Sequence, residues 1–444
     1  TFEPVGSRNL RLEVGERILA DGTVRTPLDG RAVTKAAEVL RADGVEAVAI
    51  VFINAYANAA HERQARDLVL AAWPEAIVTI SSDILPEIRE FERTSTTVLN
   101  ASLQPVVGRY LENLEGALAG GGFGGKFHIV QSNGGVMSTA TARALPVRTA
   151  LSGPAAGVIA AAAIAEAAGE PNVVTCDLGG TSFDVSLIAG GRAATAAEAS
   201  IDFGLTIRTP MIEIKTIGAG GGSIARVDGG GLLASGPESA GSRPGPVAYG
   251  AGNDRPTLTD ANIVLGRINA EAPIGGRLTR LDVAAARRAI ETHVGGPLGL
   301  SAEAAAEAIV RVANAEMAGA IRLVSIERGH DPARFVAMPF GGGGALHAGA
   351  LVREVGLKAA LIPRYPGVTS ALGCVIADVR HDEVRTINLA LSDVDEAAFN
   401  ALVAGEAASA RQLVEGAGLA LDAVDVIAAL DMHYVGQTRT VSAT

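Results

Sequence analysis

Apolar positions near the start of the chain switch between a two-residue and a 3.6-residue period, which predicts strands and helices in turn. Leu12 to Ile18 alternates as a strand, and Asp21-Gly22 turns it. Arg31 to Asp43 carries Val33, Ala36, Ala37 and Leu40 on one side, the pattern of an amphipathic helix. Val45 to Ile53 is almost continuously apolar, as a central parallel strand is, and a helix from His61 to Trp73, stopped by Pro74, leads to a strand at Ile77 to Ile80. The opening segment thus reads as a βαβ series. Such sheets bind ligands beyond the carboxyl ends of their strands, which marks Asn54-Ala55-Tyr56 and Ser81-Ser82-Asp83 as candidate site loops.

A charged helix is expected from Glu87 to Leu118, where Glu90, Glu92 and Arg93 suit a site or a solvated face equally. Phe127 to Gln131 reads as a strand ending in Ser132-Asn133-Gly134-Gly135, a turn with donors for a ligand. An alanine-rich helix follows from Ser152-Gly153-Pro154 to Ala168, with Ser152 as its cap and Gly169 as its stop. Its free N–H groups suit an anion, but a well-capped helix needs none. Residues 228–257, rich in Gly, Pro and Ser, read as irregular, a flexible loop or a lid. Helices are expected at Leu281 to Val294, Ser301 to Glu327 and Glu396 to Gly416, and a last strand at His433 to Gln437.

The stretch that stands out is Val173 to Ile188: a short buried strand from Val173 to Cys176, the tip Asp177-Leu178-Gly179-Gly180-Thr181, and a second strand that alternates Phe183, Val185 and Leu187 with Ser182, Asp184 and Ser186. Two glycines at the tip remove every Cβ, so a polyanion can reach the main-chain N–H groups, and the Thr181 hydroxyl adds a donor. Asp177 and Asp184 flank this tip and, beside a phosphate, suit a hydrated Mg²⁺. A plain Gly-Gly turn with solvated aspartates accounts for the same residues. A second glycine run, Gly218 to Gly222 ending in Ser223, follows the strand at Ile212 to Ile217. A third, Gly341 to Gly344, joins a strand at Phe335 to Phe340 to a helix through Val355. It suits a flat adenine and its ribose, or else close strand–helix packing. The polar run Asp378-Val379-Arg380-His381-Asp382 has no role that its chemistry alone assigns.

Composition narrows the class. A chain of 444 residues, 48% hydrophobic and 19% charged, builds two or three globular domains. A net charge of −11 without Lys/Arg runs argues against nucleic acid, and no apolar run is long enough for a membrane span. Cys176 and Cys374 make no disulfide framework, which fits a cytoplasmic protein. Seven scattered histidines, including His347, give no zinc-ligand spacing. The start at Thr1 and the end at Thr444 carry no signal, and the chain is expected to be an interior piece of a longer polypeptide.

In order, these blocks resemble the hydantoinase A/5-oxoprolinase family of the actin, Hsp70 and sugar-kinase ATPase superfamily. The match also rests on Glu92 to Thr97, Gln131 to Gly135, Ser152 to Gly157, Thr259 to Asn262, Glu327 to Asp331 and Ala377 to Asp382, and it runs from Glu16 to Gln437. It implies an α/β fold of two ribonuclease-H-like lobes, with mixed sheets flanked by helices and the first lobe incomplete. The implied domains are 1–95, the remainder of an N-terminal lobe; 96–390, a core with the ATP-binding lobe; and 391–444, the start of a C-terminal domain.

The resemblance implies a hydrolase subunit that uses ATP and Mg²⁺ to phosphorylate the carbonyl oxygen of a cyclic amide, such as a hydantoin or 5-oxoproline. It implies a heteromer with a hydantoinase B-like partner. The alternatives are an acetone carboxylase-type subunit and a non-catalytic nucleotide-binding scaffold. On the family pattern Asp177, Thr181 and Asp184 are catalytic and Asp177 and Asp184 hold the metal. Gly179, Gly180 and Thr181 take the phosphates, Gly220, Gly221, Gly222 and Ser223 the nucleotide, and Gly341, Gly342, Gly343 and Gly344 the adenosine. Three departures stand beside the match. The family's earlier phosphate hairpin would precede Thr1, so the chain alone is expected to bind nucleotide poorly. The tetraglycine loop lacks the family's Ala and Pro, and Ala248 stands where the family tends to carry Cys.

Overall fold

The computed structural model describes residues 4–202, 204–274, 278–437 and 440–443; Thr1 and Thr444, the outer bounds of the expected domain series, lie outside them. The chain forms two units, Thr1–Ala150 with Ala197–Met211 and Asp378–Thr444, and Leu151–Ala196 with Ile212–Ala377. No helix among the described residues is long and apolar enough to cross a membrane.

In the first unit the expected βαβ series forms. Strands Ala47–Ile50 and Ile77–Ile80 run parallel in the register Ala47 to Ile77, joined through the helix Ala60–Ala72. Asp29 caps the helix Gly30–Ala42 by accepting from the N–H groups of Arg31 and Ala32. Its apolar stripe, Val33 and Ala37, packs with Val48, Ile50, Val69 and Ile80. The first strand is shorter than its alternation implies, Arg17–Ile18, paired with Val24–Thr26.

The two loops expected to open toward a ligand are instead closed on the protein. Glu62, with no exposed surface, accepts from the N–H groups of Phe52 and Ser82 and from Ser81 Oγ. A buried carboxylate needs several donors, and these loops supply them. Asn54 adopts φ 59° and donates to Ile18 O, while Ala55 and Tyr56 are buried. Arg93 is likewise internal, donating to Glu87 O and Phe52 O from within the helix Glu90–Gly120. The helix Glu396–Glu415 appears as expected, but 433–437 is a turn between the strands Leu430–Met432 and Val441–Ala443, with Gly436 at φ 86°.

The second unit is built on a six-stranded mixed sheet. Its order is Lys215–Ile217, Phe183–Ala189, Val173–Leu178, Val336–Phe340 and Ala359–Ala360, with Arg192–Ala193 beside Phe183–Ala189. Val173–Leu178 pairs antiparallel with Phe183–Ala189 and parallel with Val336–Phe340. Helix Ala302–Val324 packs on one face, against Val174, Cys176, Leu178 and Val185. The helix Ser152–Ala167 packs on the other, against Val173, Ile188, Met338 and Phe340. Burial on both faces is why Val173–Leu178 and Val336–Phe340 read as nearly continuous apolar runs, whereas Phe183–Ala189 alternates.

Two expectations fail here for local reasons. Ser152 is the first helical residue, not the cap; Leu151 precedes it in the left-handed region at φ 60°, and no side chain caps the helix. Residues 228–257 are partly ordered: Leu233–Ser239 forms a hairpin with Ser223–Val227, closed by Asp228 accepting from Gly230 and Leu232.

The alanines of Ser152–Ala167 have a packing purpose, because the helix Thr369–Ile376 crosses them at close range. A Cβ on Gly373 would sit 1.8 Å from Ala156 O. Gly373→Ala is therefore expected to destabilise the protein by about 3 kcal/mol, the upper range for overpacking, read as a lowered urea midpoint.

Candidate active site

The hairpin Val173–Leu178/Phe183–Ala189 places Asp177 directly opposite Asp184. Opposed residues of an antiparallel pair share a face, so the two carboxylates stand side by side. Burial pushes Asp177 up to about 6, helped by the charge of Asp184 and opposed by a hydrogen bond from Ser370. Asp184 is also raised by burial, against donation from Thr216 and Ser182. The contacts are Ser370 Oγ to Asp177 Oδ2 at 3.4 Å, Thr216 Oγ1 to Asp184 Oδ1 at 2.5 Å and Ser182 Oγ to Asp184 Oδ2 at 3.1 Å. Two like charges held together and short of solvent favour a cation.

The hairpin tip is open. Gly180 and Thr181 are exposed, and the turn closes through Gly179 N–H to Ser182 O at 3.0 Å. The second glycine run lies against it: Gly221 N–H donates to Gly179 O at 2.9 Å and Gly222 N–H to Gly180 O at 2.6 Å. A Cβ on Gly220 would meet Thr181 C at 2.5 Å and Gly180 C at 2.6 Å. The third run reaches the same place. Gly343 N–H donates to Leu178 O at 3.1 Å, and a Cβ on Gly341, itself at φ 79°, would sit 2.3 Å from Asp177 Oδ1. Gly342 is exposed with open space where a Cβ would go, and Gly344 begins the helix Gly344–Val355.

All three glycine segments named from the sequence therefore converge on Asp177 and Asp184. Ser223 lies inside its loop, fully buried, accepting from Gly220 N–H at 2.8 Å and so holding the loop's shape. Thr259 Oγ1 braces the same loop through Gly221 O at 2.8 Å. Ser370 and Thr216 had no assigned role, because hydroxyls from distant segments meet the aspartates without any spacing signal; Ser182, two residues from Asp184, and Thr259, which bonds Gly221 O, had none either. Asp260, in the block Thr259 to Asn262, is structural: fully buried, it accepts from Val247, Ala248 and Thr257 N–H and from Thr257 Oγ1.

This cradle fits a triphosphate with a hydrated divalent cation. Backbone crowds wherever a Cβ would stand on Gly220 or Gly341, so the glycines keep main chain accessible. Among the described residues no three His, Cys, Asp or Glu side chains converge, so this chain offers a cation two carboxylates, a set that suits one whose other ligands are water and phosphate oxygens.

Behind the third loop, His347 is 1% exposed, with Nδ1 2.6 Å from Asn314 Oδ1 and Nε2 3.4 Å from Asn262 Nδ2. Burial, with Arg267, pushes it from 6.5 down to about 4, so it is neutral in the fold. The unfolded chain takes up this proton more readily, so the stability is complete above pH 6.5 and is lost as pH falls to about 4. The full difference is roughly 3 kcal/mol. His347→Gln is expected to flatten that segment of the stability–pH curve, measured by urea unfolding across the window.

The hydantoinase/oxoprolinase family model matches residues 93–383, and the hydantoinase/oxoprolinase N-terminal region matches residues 1–72. The alpha subunit of caprolactamase from Pseudomonas jessenii is 42% identical over 386 residues, 87% of this chain and 55% of that protein. The gamma subunit of acetophenone carboxylase from Aromatoleum aromaticum is 35% identical over 98% of this chain and 61% of its own. The crystal structure of ATP-dependent caprolactamase from Pseudomonas jessenii superposes with a TM-score of 0.82 at 38% identity, over 98% of this chain and 63% of that one. The chain thus spans 55 to 63% of the length of these relatives. The likeness bears out the expected α/β fold of ribonuclease-H-like lobes. With one family model covering most of its length and relatives this similar along nearly all of it, the chain belongs to the hydantoinase/oxoprolinase family.

Proposed function

We propose that this chain is the ATP-using part of an enzyme that activates a cyclic amide for ring opening. The observation that carries the reading is the convergence of three glycine segments on the paired aspartates Asp177 and Asp184. ATP is the phosphoryl donor. The hairpin N–H groups of Gly180 and Thr181 hold its phosphates, beside Gly179, whose own N–H closes the turn on Ser182 O; the Gly220 to Gly222 segment holds the nucleotide against them, and Gly341 to Gly344 lie along the adenosine. Asp177 and Asp184 would hold Mg²⁺, which would supply charge neutralisation at the phosphates. Thr181 Oγ1, exposed at the tip, donates toward the transferring group.

The chemistry suits a lactam. An amide carbonyl is a poor electrophile; transfer of the γ-phosphoryl group to its oxygen, with ADP leaving, turns that oxygen into a leaving group. Water then adds to the carbon, the ring C–N bond breaks, and phosphate is released, on a hydantoinase B-like partner. The name of the caprolactamase relative supports a lactam. The expected result is that the chain, in its full polypeptide and with that partner, hydrolyses ATP when supplied with a hydantoin, 5-oxoproline or related lactam, read as phosphate release.

A second reading has a specific observation behind it, the 35% identity to acetophenone carboxylase gamma subunit. In that case the phosphorylated group is a ketone enolate and the attacked species bicarbonate-derived. Phosphate release that requires a ketone with bicarbonate, and ignores lactams, selects it. ATP binding without turnover on either substrate selects a scaffold subunit.

A further inference from the structure

The amides of the second glycine run face the hairpin and not the solvent. Gly220 N–H donates to Ser223 Oγ at 2.8 Å, Gly221 N–H to Gly179 O at 2.9 Å and Gly222 N–H to Gly180 O at 2.6 Å. None of the three is left for a phosphate, so this run gives the site its shape and not its donors. At the tip the reverse holds: no hydrogen bond among the described residues engages the N–H of Gly180 or Thr181, both exposed.

A fourth segment of the same unit reaches this tip. The strand Leu233–Ser239 pairs antiparallel with Ser223–Val227, and the register sets Ser239 opposite Ser223. Ala240 N–H then donates to Gly222 O at 2.9 Å, and a Cβ on Gly222 would stand 2.9 Å from Ser239 Oγ. Ser239 is thereby held against the glycine run, half-buried, with Oγ 3.4 Å from Thr181 Oγ1. The chain turns at once, Gly241 N–H donating to Ser239 Oγ at 3.1 Å.

That turn decides what the hydroxyl has left to offer. A hydroxyl carries one proton and two lone pairs, and Gly241 occupies a lone pair. Its proton has one acceptor among the described residues, Thr181 Oγ1, at a distance beyond the range of about 2.5–3.0 Å that a good O–H···O bond takes. Neither hydroxyl is therefore committed to the other. One outside oxygen lying between them at the open tip satisfies both.

We propose that Ser239 is a further catalytic residue, its hydroxyl donating together with that of Thr181 to one oxygen of the terminal phosphoryl group of ATP. The assignment rests on the ATP reading above. As the bond from the bridging oxygen to phosphorus breaks, its electrons leave with ADP, and the lactam oxygen bonds to the phosphorus. Charge stays on the other phosphoryl oxygens, where two fixed neutral donors stabilise it without giving up a proton. Sequence reading placed Ser239 in an irregular loop, because only the pairing of its strand with Ser223–Val227 brings it to the tip.

The test must separate this role from mere shaping of the turn to Gly241. Asp at this position also accepts from the N–H two residues on, but brings no proton. ADP and the non-hydrolysable analogue AMP-PNP, each with Mg²⁺, are titrated by calorimetry into the full polypeptide with its partner, and lactam-dependent phosphate release is read on the same protein. Ser239→Ala is expected to weaken AMP-PNP about tenfold, to leave ADP within about twofold, and to slow phosphate release about 10²-fold. Ser239→Asp should lose at least as much release, and Ser239→Thr should recover most of it. Unchanged ADP affinity shows that the alanine variant is folded at the tip. Wild-type release in Ser239→Asp, or equal weakening of ADP and AMP-PNP in Ser239→Ala, reduces Ser239 to a structural residue and overturns the proposal. A wild type that binds both nucleotides, with an alanine variant that keeps full AMP-PNP affinity, overturns the assignment alone. A wild type that binds neither nucleotide overturns the ATP reading and the assignment with it.

Discussion

Asp177→Asn is expected to lower lactam-dependent ATP hydrolysis by about 10²- to 10³-fold while leaving the fold intact, the scale on which one electrostatic contact to a transferring group acts. The substitution keeps the shape of the side chain and its neighbour Ser370, but removes one of the two charges that face each other across the hairpin. The two effects separate because the charge works against the nucleotide-free fold. Its carboxyl is pushed from 3.8 up to about 6, chiefly by burial and next by Asp184, so its ionised form costs stability as pH rises through that window and costs it fully above. At neutral pH the Asn variant should therefore melt at the same temperature or higher. Phosphate release and a thermal melt, run side by side, check both halves. An Asn variant that turns over at the wild-type rate removes Asp177 from the chemistry.

Gly220→Ala is expected to weaken nucleotide binding by more than tenfold and to cost about 1–3 kcal/mol of stability, because a single methyl must displace backbone rather than a flexible side chain. The ideal Cβ lies 2.5 Å from Thr181 C and 2.6 Å from Gly180 O, so the loop can accept it only by withdrawing from the hairpin tip. That withdrawal breaks the bonds from Gly221 and Gly222 to the tip. Gly229→Ala is the control: it lies outside the three glycine segments, nothing stands within 4 Å of its Cβ, and its nucleotide affinity and stability should be unchanged. Fluorescent-nucleotide titration and urea unfolding of both variants measure the contrast. Equal behaviour of the two would mean that close packing of the glycine segments does not shape the nucleotide site.

Much of the second unit was legible because its local chemistry and its tertiary role coincide. The Gly-Gly tip is required both by a two-strand turn and by close approach of another loop, so the same residues signal both. The buried strands Val173–Leu178 and Val336–Phe340 announced themselves as apolar runs since both faces of the sheet are covered. Reading failed where a residue's partner is remote. Ser152 looks like a cap, yet Leu151 enters the helix in the left-handed region and no hydroxyl is used. Asn54 and Ser81 looked open to a ligand, yet Ile18 O and Glu62 take them up. Gln131 read as a strand end and Asn133 as a turn donor; their partners, Arg380 and Asp382, lie 249 positions along the chain.

The sequence by itself determined the elements, the hairpin with its paired aspartates, and the three glycine segments, because period, turn chemistry and strand register act over a few residues. Only the tertiary structure decided that those segments meet at one place, that Ser370 and Thr216 hold the aspartates, and that Gln131 faces Arg380 O. The reason is physical: burial and hydrogen-bond partnership depend on what the folded chain brings within about 3 Å, and distance in space leaves no mark on spacing along the chain.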